Sequence, residues 1–316
     1  MPKARVIPLR RPDGGGVSGD ATRPVVATPV EPAPGEPQWY RELADLLAFV
    51  QRRLTGDYAV DEFGFDPDLA DHVLLPLLRP LYRSWFRVDT TGLEHVPATG
   101  GALVVANHAG TLPLDALMTA MAVHKDHPAG RHLRMLAADL LFRIPILGSL
   151  GRKSGQTLAC VPDAERLLGS GELVGWWPEG YQGLGKRYRD RYKLQRFVRG
   201  GFIAAALRTR TMIIPCAIVG AEEIYPMIGD IKPLARLLGI PYFPVTPLFP
   251  LLGPLGMVPL PSKWYIEFGE PLRTDAYGPG AAEDSTLIFN LADQIRETIQ
   301  QTLHRLLVQR RNPFLA

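Results

Sequence analysis

The sequence predicts an α/β protein: a mostly parallel sheet flanked by helices, in a single domain with a helical N-terminal extension. Three observations carry this. Short apolar runs of β type alternate with stretches of helical periodicity through most of the chain. One such run, Ala102–Ala106, ends in Asn107-His108 and a Gly-containing turn before a helical pattern opened by Pro113. That is the strand-to-helix junction where open α/β sheets bind ligands. Finally, 316 residues that are 46% apolar and 21% charged are ample for a full globular core.

Residues 1–37 read as a disordered Pro/Gly-rich tail, with Gly14-Gly15-Gly16 and a run of prolines from Pro29 to Pro37. They contain no apolar stretch of the secretory kind. Residues 38–84 read as the helical extension. Trp39, Leu43, Leu46, Leu47, Val50 and Leu54 fall on one stripe, expected to dock on the core. Asp66-Pro67-Asp68 is a helix start. The apolar run over 69–86 holds Asp71, His72, Arg79 and Arg83 with Pro76 and Pro80 inside it, so a kinked, partly buried helix is expected rather than a spanning one.

From residue 85 to 316 the strands are expected at 102–106, 133–137, 157–161, 173–177, 212–219 and 264–268. Helices are expected at 113–123, 162–168, 196–208 and 285–309. His124, His127 and His132 fall in a polar loop without a second cluster of ligands, so no metal is expected. Cys160 and Cys216 have neither metal spacing nor a disulfide framework and suit buried thiols in a reducing, cytoplasmic compartment. A net charge of +3 leaves attraction to anions to local patches, and no nucleic-acid partner is expected.

His108 sits where a general base could act, because imidazole titrates near working pH. Asp115 is the nearest acid after it. On one continuous helix, residues seven apart lie about 10 Å apart along the axis, so a turn at Ala109-Gly110 has to fold His108 back towards Asp115. Gly110 makes that turn sterically cheap. The plainer reading is a loop histidine and a first-turn acid favoured by the helix dipole.

The stretch resembles the first motif of the glycerophospholipid acyltransferase superfamily: Asn-His, four residues, then Asp. Asn107 and His108 match; the family's Asp position falls on Pro113, and the acid comes two residues later as Asp115. Pro178-Glu179-Gly180 resembles the third motif, with Tyr181, Gln182 and Gly183 where the family commonly has threonine, arginine and serine. Pro145, Gly148 and Gly151 fall in the region of the second motif. Arg196-Phe197 resembles the Arg/Lys-Phe helix, Ile213 to Ala217 the fourth motif, and Phe268 to Leu272 the closing strand. The resemblance covers about residues 85–311 and makes that region an acyltransferase-like catalytic domain.

It implies transfer of a fatty acyl group from acyl-CoA, as co-substrate and with no other cofactor, to a lipid hydroxyl. His108 would take the hydroxyl proton and Asp115 orient the ring, with Asn107, Thr111, Glu179 and Gly180 shaping the acceptor site and backbone N–H groups near the turns holding the oxyanion. Thr111 is the rival orienting group for the ring. Lys186, Arg187, Arg189, Arg191, Lys193, Arg196 and Arg199 form a basic run. Lys186, Arg187 and Arg196 are expected to bind substrate; the run could hold a phosphate, the phosphates of coenzyme A or an anionic membrane surface, or be a solvated face. Gly180 to Lys186 has P-loop spacing, but Arg187 stands where Ser or Thr must reach Mg²⁺. Residues 240–262 carry no charge and seven prolines. That segment either covers the core or meets lipid, in a protein expected to be peripheral to the membrane. The loss of the third-motif arginine leaves a neutral acceptor such as diacylglycerol or another lipid alcohol as an alternative, and the shifted Asp115 leaves a catalytically silent lipid-binding relative as another. A serine hydrolase is disfavoured, since no Gly-x-Ser-x-Gly elbow is present.

Overall fold

The computed structural model describes residues 4–9, 38–197 and 200–314. Its centre is a seven-stranded sheet in the order β3-β11-β8-β4-β7-β5-β6. The strands are β3 (Asp89–Thr91), β4 (Ala102–Ala106), β5 (Leu133–Ala137), β6 (Thr157–Leu158), β7 (Leu173–Trp176), β8 (Ile213–Val219) and β11 (Tyr265–Phe268). β4, β5, β6, β7 and β8 are mutually parallel, and β11 turns antiparallel on β8. β4 lies in the middle and is buried throughout. Ala102, Val104 and Ala106 feed one core and Leu103 and Val105 the other, as a strand covered on both faces requires.

One face is covered by α4 (Leu114–Asp126) and the kinked run over 67–85. The other is covered by α7 (Val161–Gly169), α9 (Gly201–Thr209) and α11 (Ser285–Gln309). α11 starts where Asp284 accepts from the Thr286 and Leu287 amides. It buries Leu291, Ile295, Ile299, Leu303 and Leu306, the stripe read from its periodicity.

Five expectations are revised. Arg5–Ile7, placed in the disordered tail, forms β1, parallel to β2 (Ala59–Asp61). The partner edge lies more than fifty residues away, where local composition cannot show it; residues 1–3 and 10–37 lie outside the described residues. The helix expected from Arg196 begins only at Gly201, because Gly200 and Gly201 interrupt the helical pattern. β6 ends at Leu158, since α7 already starts at Val161 with Pro162 in its first turn. His124 belongs to α4, not to a loop.

The fifth revision concerns α1 (Gln38–Thr55). Its apolar stripe does not dock: Trp39, Leu43, Leu46, Leu47, Val50 and Leu54 are all exposed. The opposite side holds the helix. Arg53 binds Asp66 bidentately at 2.6 and 2.6 Å, Arg52 pairs with Asp68, and buried Phe49 stacks on His72. The following run is kinked as expected. α2 (Pro67–Leu69) and α3 (Leu75–Pro80) alternate with wide π-helical turns at Ala70–Leu74 and Leu81–Trp85, around prolines that have no N–H to give. Fully buried Arg134 on β5 fastens this extension to the sheet, 2.6 Å from Asp61 and stacked over the Phe65 ring.

Candidate active site

β4 and β7 are parallel neighbours in which Val105 faces Trp176. Extending that register by three residues puts His108 opposite Glu179, each just beyond the end of its strand. Buried Glu179 accepts from the His108 amide at 2.8 Å and, through its other oxygen, from the Gln195 amide at 2.7 Å.

The turn after His108 closes on itself. His108 Nδ1 lies 2.7 Å from Asp115 Oδ2, and the same oxygen accepts from the Ala109 amide at 2.9 Å. The other oxygen, Oδ1, accepts from the Ala116 amide at 2.8 Å. Asp115 is fully buried in the first turn of α4 and gathers the whole turn. With Nδ1–H committed to Asp115, Nε2 is the ring nitrogen left to take a proton. Gly110 has φ of +94°, and a Cβ there would lie 2.8 Å from the Ala221 carbonyl oxygen. Gly183 is equally constrained: a Cβ would come 2.6 Å from the carbonyl oxygen of His108. Trp177 is buried with its ring centroid 5.9 Å from that of His108.

The other expected residues divide. Asn107 turns its side chain onto β8, donating to the Ile218 carbonyl at 3.0 Å and accepting from the Ile218 amide at 2.7 Å. Thr111, in a left-handed conformation, directs its hydroxyl to the Tyr225 carbonyl rather than to His108. Gly180 opens α8 (Gly180–Leu184) with open space where a Cβ would be. That short helix replaces the loop a P-loop would need.

Lys186 is the main departure. Its ammonium is buried, 2.9 Å from Glu222 and 3.5 Å from Glu179. Burial alone would lower its pKa, but the two carboxylates outweigh burial and raise it. The charge is spent inside the protein, so Lys186 is not a free phosphate ligand. A run of like charges in the sequence cannot tell which member turns inward. Arg187, Arg189, Arg191, Lys193 and Arg196 are exposed, and Arg199 lies outside the described residues.

Sequence reasoning missed Tyr242, from the uncharged segment, whose hydroxyl donates to the Thr111 carbonyl at 2.6 Å. Burial first, and then the charge of Asp115, push its phenol up, so it stays a neutral donor. The remainder of that segment pairs β10 (Pro244–Val245) with β9 (Gly229–Asp230) and leaves Leu251, Leu252 and Leu255 exposed. Among the described residues, no helix is long and apolar enough to cross a membrane.

The chain matches the Acyltransferase family over residues 87–219, the span that holds His108, Asp115 and Glu179. It is 61% identical over 277 residues to uncharacterized proteins of Mycobacterium bovis and Mycobacterium tuberculosis, covering 86% of this chain and 77% of theirs. An uncharacterized protein of Mycobacterium leprae is 60% identical over 274 residues, covering 87% of this chain and 75% of its own. Among solved structures, the 1-acyl-sn-glycerophosphate acyltransferase PlsC from Thermotoga maritima aligns with a TM-score of 0.48 and 17% identity, over 84% of this chain and 97% of that one. Residues 87–219 thus match the Acyltransferase family, and the whole chain belongs to one family with these mycobacterial proteins.

Proposed function

We propose that the protein transfers a fatty acyl group from acyl-CoA to the hydroxyl of a lipid acceptor at a membrane surface, with His108 as general base. The observation that carries this is the buried 2.7 Å contact between His108 Nδ1 and Asp115, at the carboxyl end of the central strand. Nε2 of His108 takes the proton from the acceptor hydroxyl as its oxygen attacks the thioester carbonyl. Asp115 stabilises the imidazolium so formed. Collapse of the tetrahedral intermediate breaks the C–S bond, and the coenzyme A thiolate leaves with that proton, yielding ester and free thiol.

The acceptor is the finer question. Lys186 is neutralised by Glu179 and Glu222, and the third-motif arginine is absent. Those two facts favour a neutral lipid alcohol over a glycerol phosphate, unless Arg187 or Arg196 supplies the missing cation. Membrane contact is supported by the apolar side chains that α1, α6 (Pro145–Lys153) and the 240–262 segment expose, among them Leu47, Leu54, Ile146 and Leu251.

The test is an acyl-CoA assay on vesicles containing, in turn, lysophosphatidic acid, other lysophospholipids and diacylglycerol. Wild type should release coenzyme A with at least one acceptor, and a folded His108→Ala variant should not. Equal release by both would refute the mechanism, and no release with any acceptor would favour a silent lipid-binding relative.

A further inference from the structure

Away from the His108 turn, three side chains from distant parts of the sequence converge. Asp71 lies on the π-helical turn of the N-terminal extension, His124 in the last turn of α4, and His132 directly before β5. One ligand atom from each falls within 4.8 Å of the others. The two imidazoles stack with centroids 4.8 Å apart at 23°. Both Nε2 atoms aim at one oxygen, Asp71 Oδ1, from 3.3 Å for His132 and 3.6 Å for His124.

Those separations decide between two readings. Hydrogen bonds to a carboxylate would draw the atoms to about 2.7–2.9 Å. Ligands about 2.0–2.1 Å from a tetrahedral ion lie about 3.3–3.4 Å from one another; His132 to Asp71 at 3.3 Å has that spacing, and His124 to Asp71 at 3.6 Å, with every pair inside 4.8 Å, needs only a small side-chain movement to reach it. Both histidines also line a cavity of about 40 Å³, large enough to hold a water beside the two rings.

We propose that Asp71, His124 and His132 form a divalent-metal site that takes Zn²⁺, with water in the fourth position, and staples the N-terminal extension to the sheet domain. Two imidazoles and a carboxylate suit Zn²⁺ rather than the oxygen-seeking Mg²⁺ or Ca²⁺. The staple joins a helical turn, the end of α4 and the start of β5. α4 carries Asp115 at its other end, so the ion would fix the helix that orients His108 without touching substrate.

Calorimetric titration of Zn²⁺ into the chelator-stripped full chain should show one equivalent bound, and the melting temperature should rise by a few degrees. His124→Ala, His132→Ala and Asp71→Asn should each weaken binding by about 100-fold or more and abolish the thermal shift. His304→Ala, an exposed histidine on α11, should leave both unchanged. Co²⁺ offered instead should give the visible absorption of a four-coordinate site, lost in Asp71→Asn, whose half-exposed side chain makes that variant the safest to fold. Absence of a stoichiometric site in wild type, or wild-type binding in the folded site variants, would overturn the proposal.

Discussion

Asp115 does more than a first-turn acid usually does. It accepts from the His108 ring and from the Ala109 and Ala116 amides in full burial. Replacing it by Asn keeps the volume but removes the charge and places an N–H₂ group where one donor already points. Turnover by Asp115→Asn should fall about 10³–10⁴-fold, because the imidazolium loses its counter-ion and the ring its fixed tautomer. Stability should also fall, by about 1–3 kcal/mol for the donor left unpaired. Thr111→Val removes only a long contact to the Tyr225 carbonyl and should leave turnover within a few fold of wild type. Measuring kcat beside the melting temperature separates the two; a normal kcat in a folded Asp115→Asn variant would make Asp115 a loop staple only. The spacing of His108 and Asp115 was legible in the sequence, and so was the need for Gly110. The close approach of Gly183 to the His108 carbonyl was not, because two turns that meet across strands leave no local pattern.

The turns after β4 and β7 work as one element, joined through Glu179 and braced by Lys186. Removing Lys186 strands two buried carboxylates. Lys186→Met should therefore cost about 3–5 kcal/mol. The same pairing has an alkaline signature. Lys186 is held above its ordinary value of 10.5 in the folded protein, so its contribution is complete below that value and is lost as pH climbs through the folded one. Melting temperature followed from pH 8 upward should show an additional decline above about pH 10.5 that Lys186→Met lacks. Parallel curves for the two proteins would show that the pair contributes nothing to stability. Strands and the long helix α11 were legible because their periods are strong and their partners only need to be apolar. The destination of a charge was not: Lys186 and Arg187 are adjacent in sequence, one buried and one exposed.

Across the whole molecule, periodicity revealed the apolar stripe of α1 but not what it faces. Ion pairs on the other side of that helix hold it in place and leave the stripe uncovered. The wild-type chain should co-sediment with anionic vesicles at low salt. Added salt should weaken the share due to the exposed run from Arg187 to Arg196, while the apolar share persists. Leu47→Glu with Leu54→Glu should reduce sedimentation at high salt without lowering the melting temperature, since neither side chain is buried. Unchanged sedimentation by that variant would remove α1 from the membrane contact. The central sheet has one more consequence. Fully buried Cys216 pairs in the register of β8 and β4 with Ala106, which lies two residues before His108, and burial pushes its thiol up. Cys160 is only half-buried near the start of α7. A thiol reagent can therefore label Cys160 through local fluctuations, whereas Cys216 must wait for the floor beneath the site to part. The order and rate of modification of the two sulfurs turn the chain into its own clock for how often that floor opens.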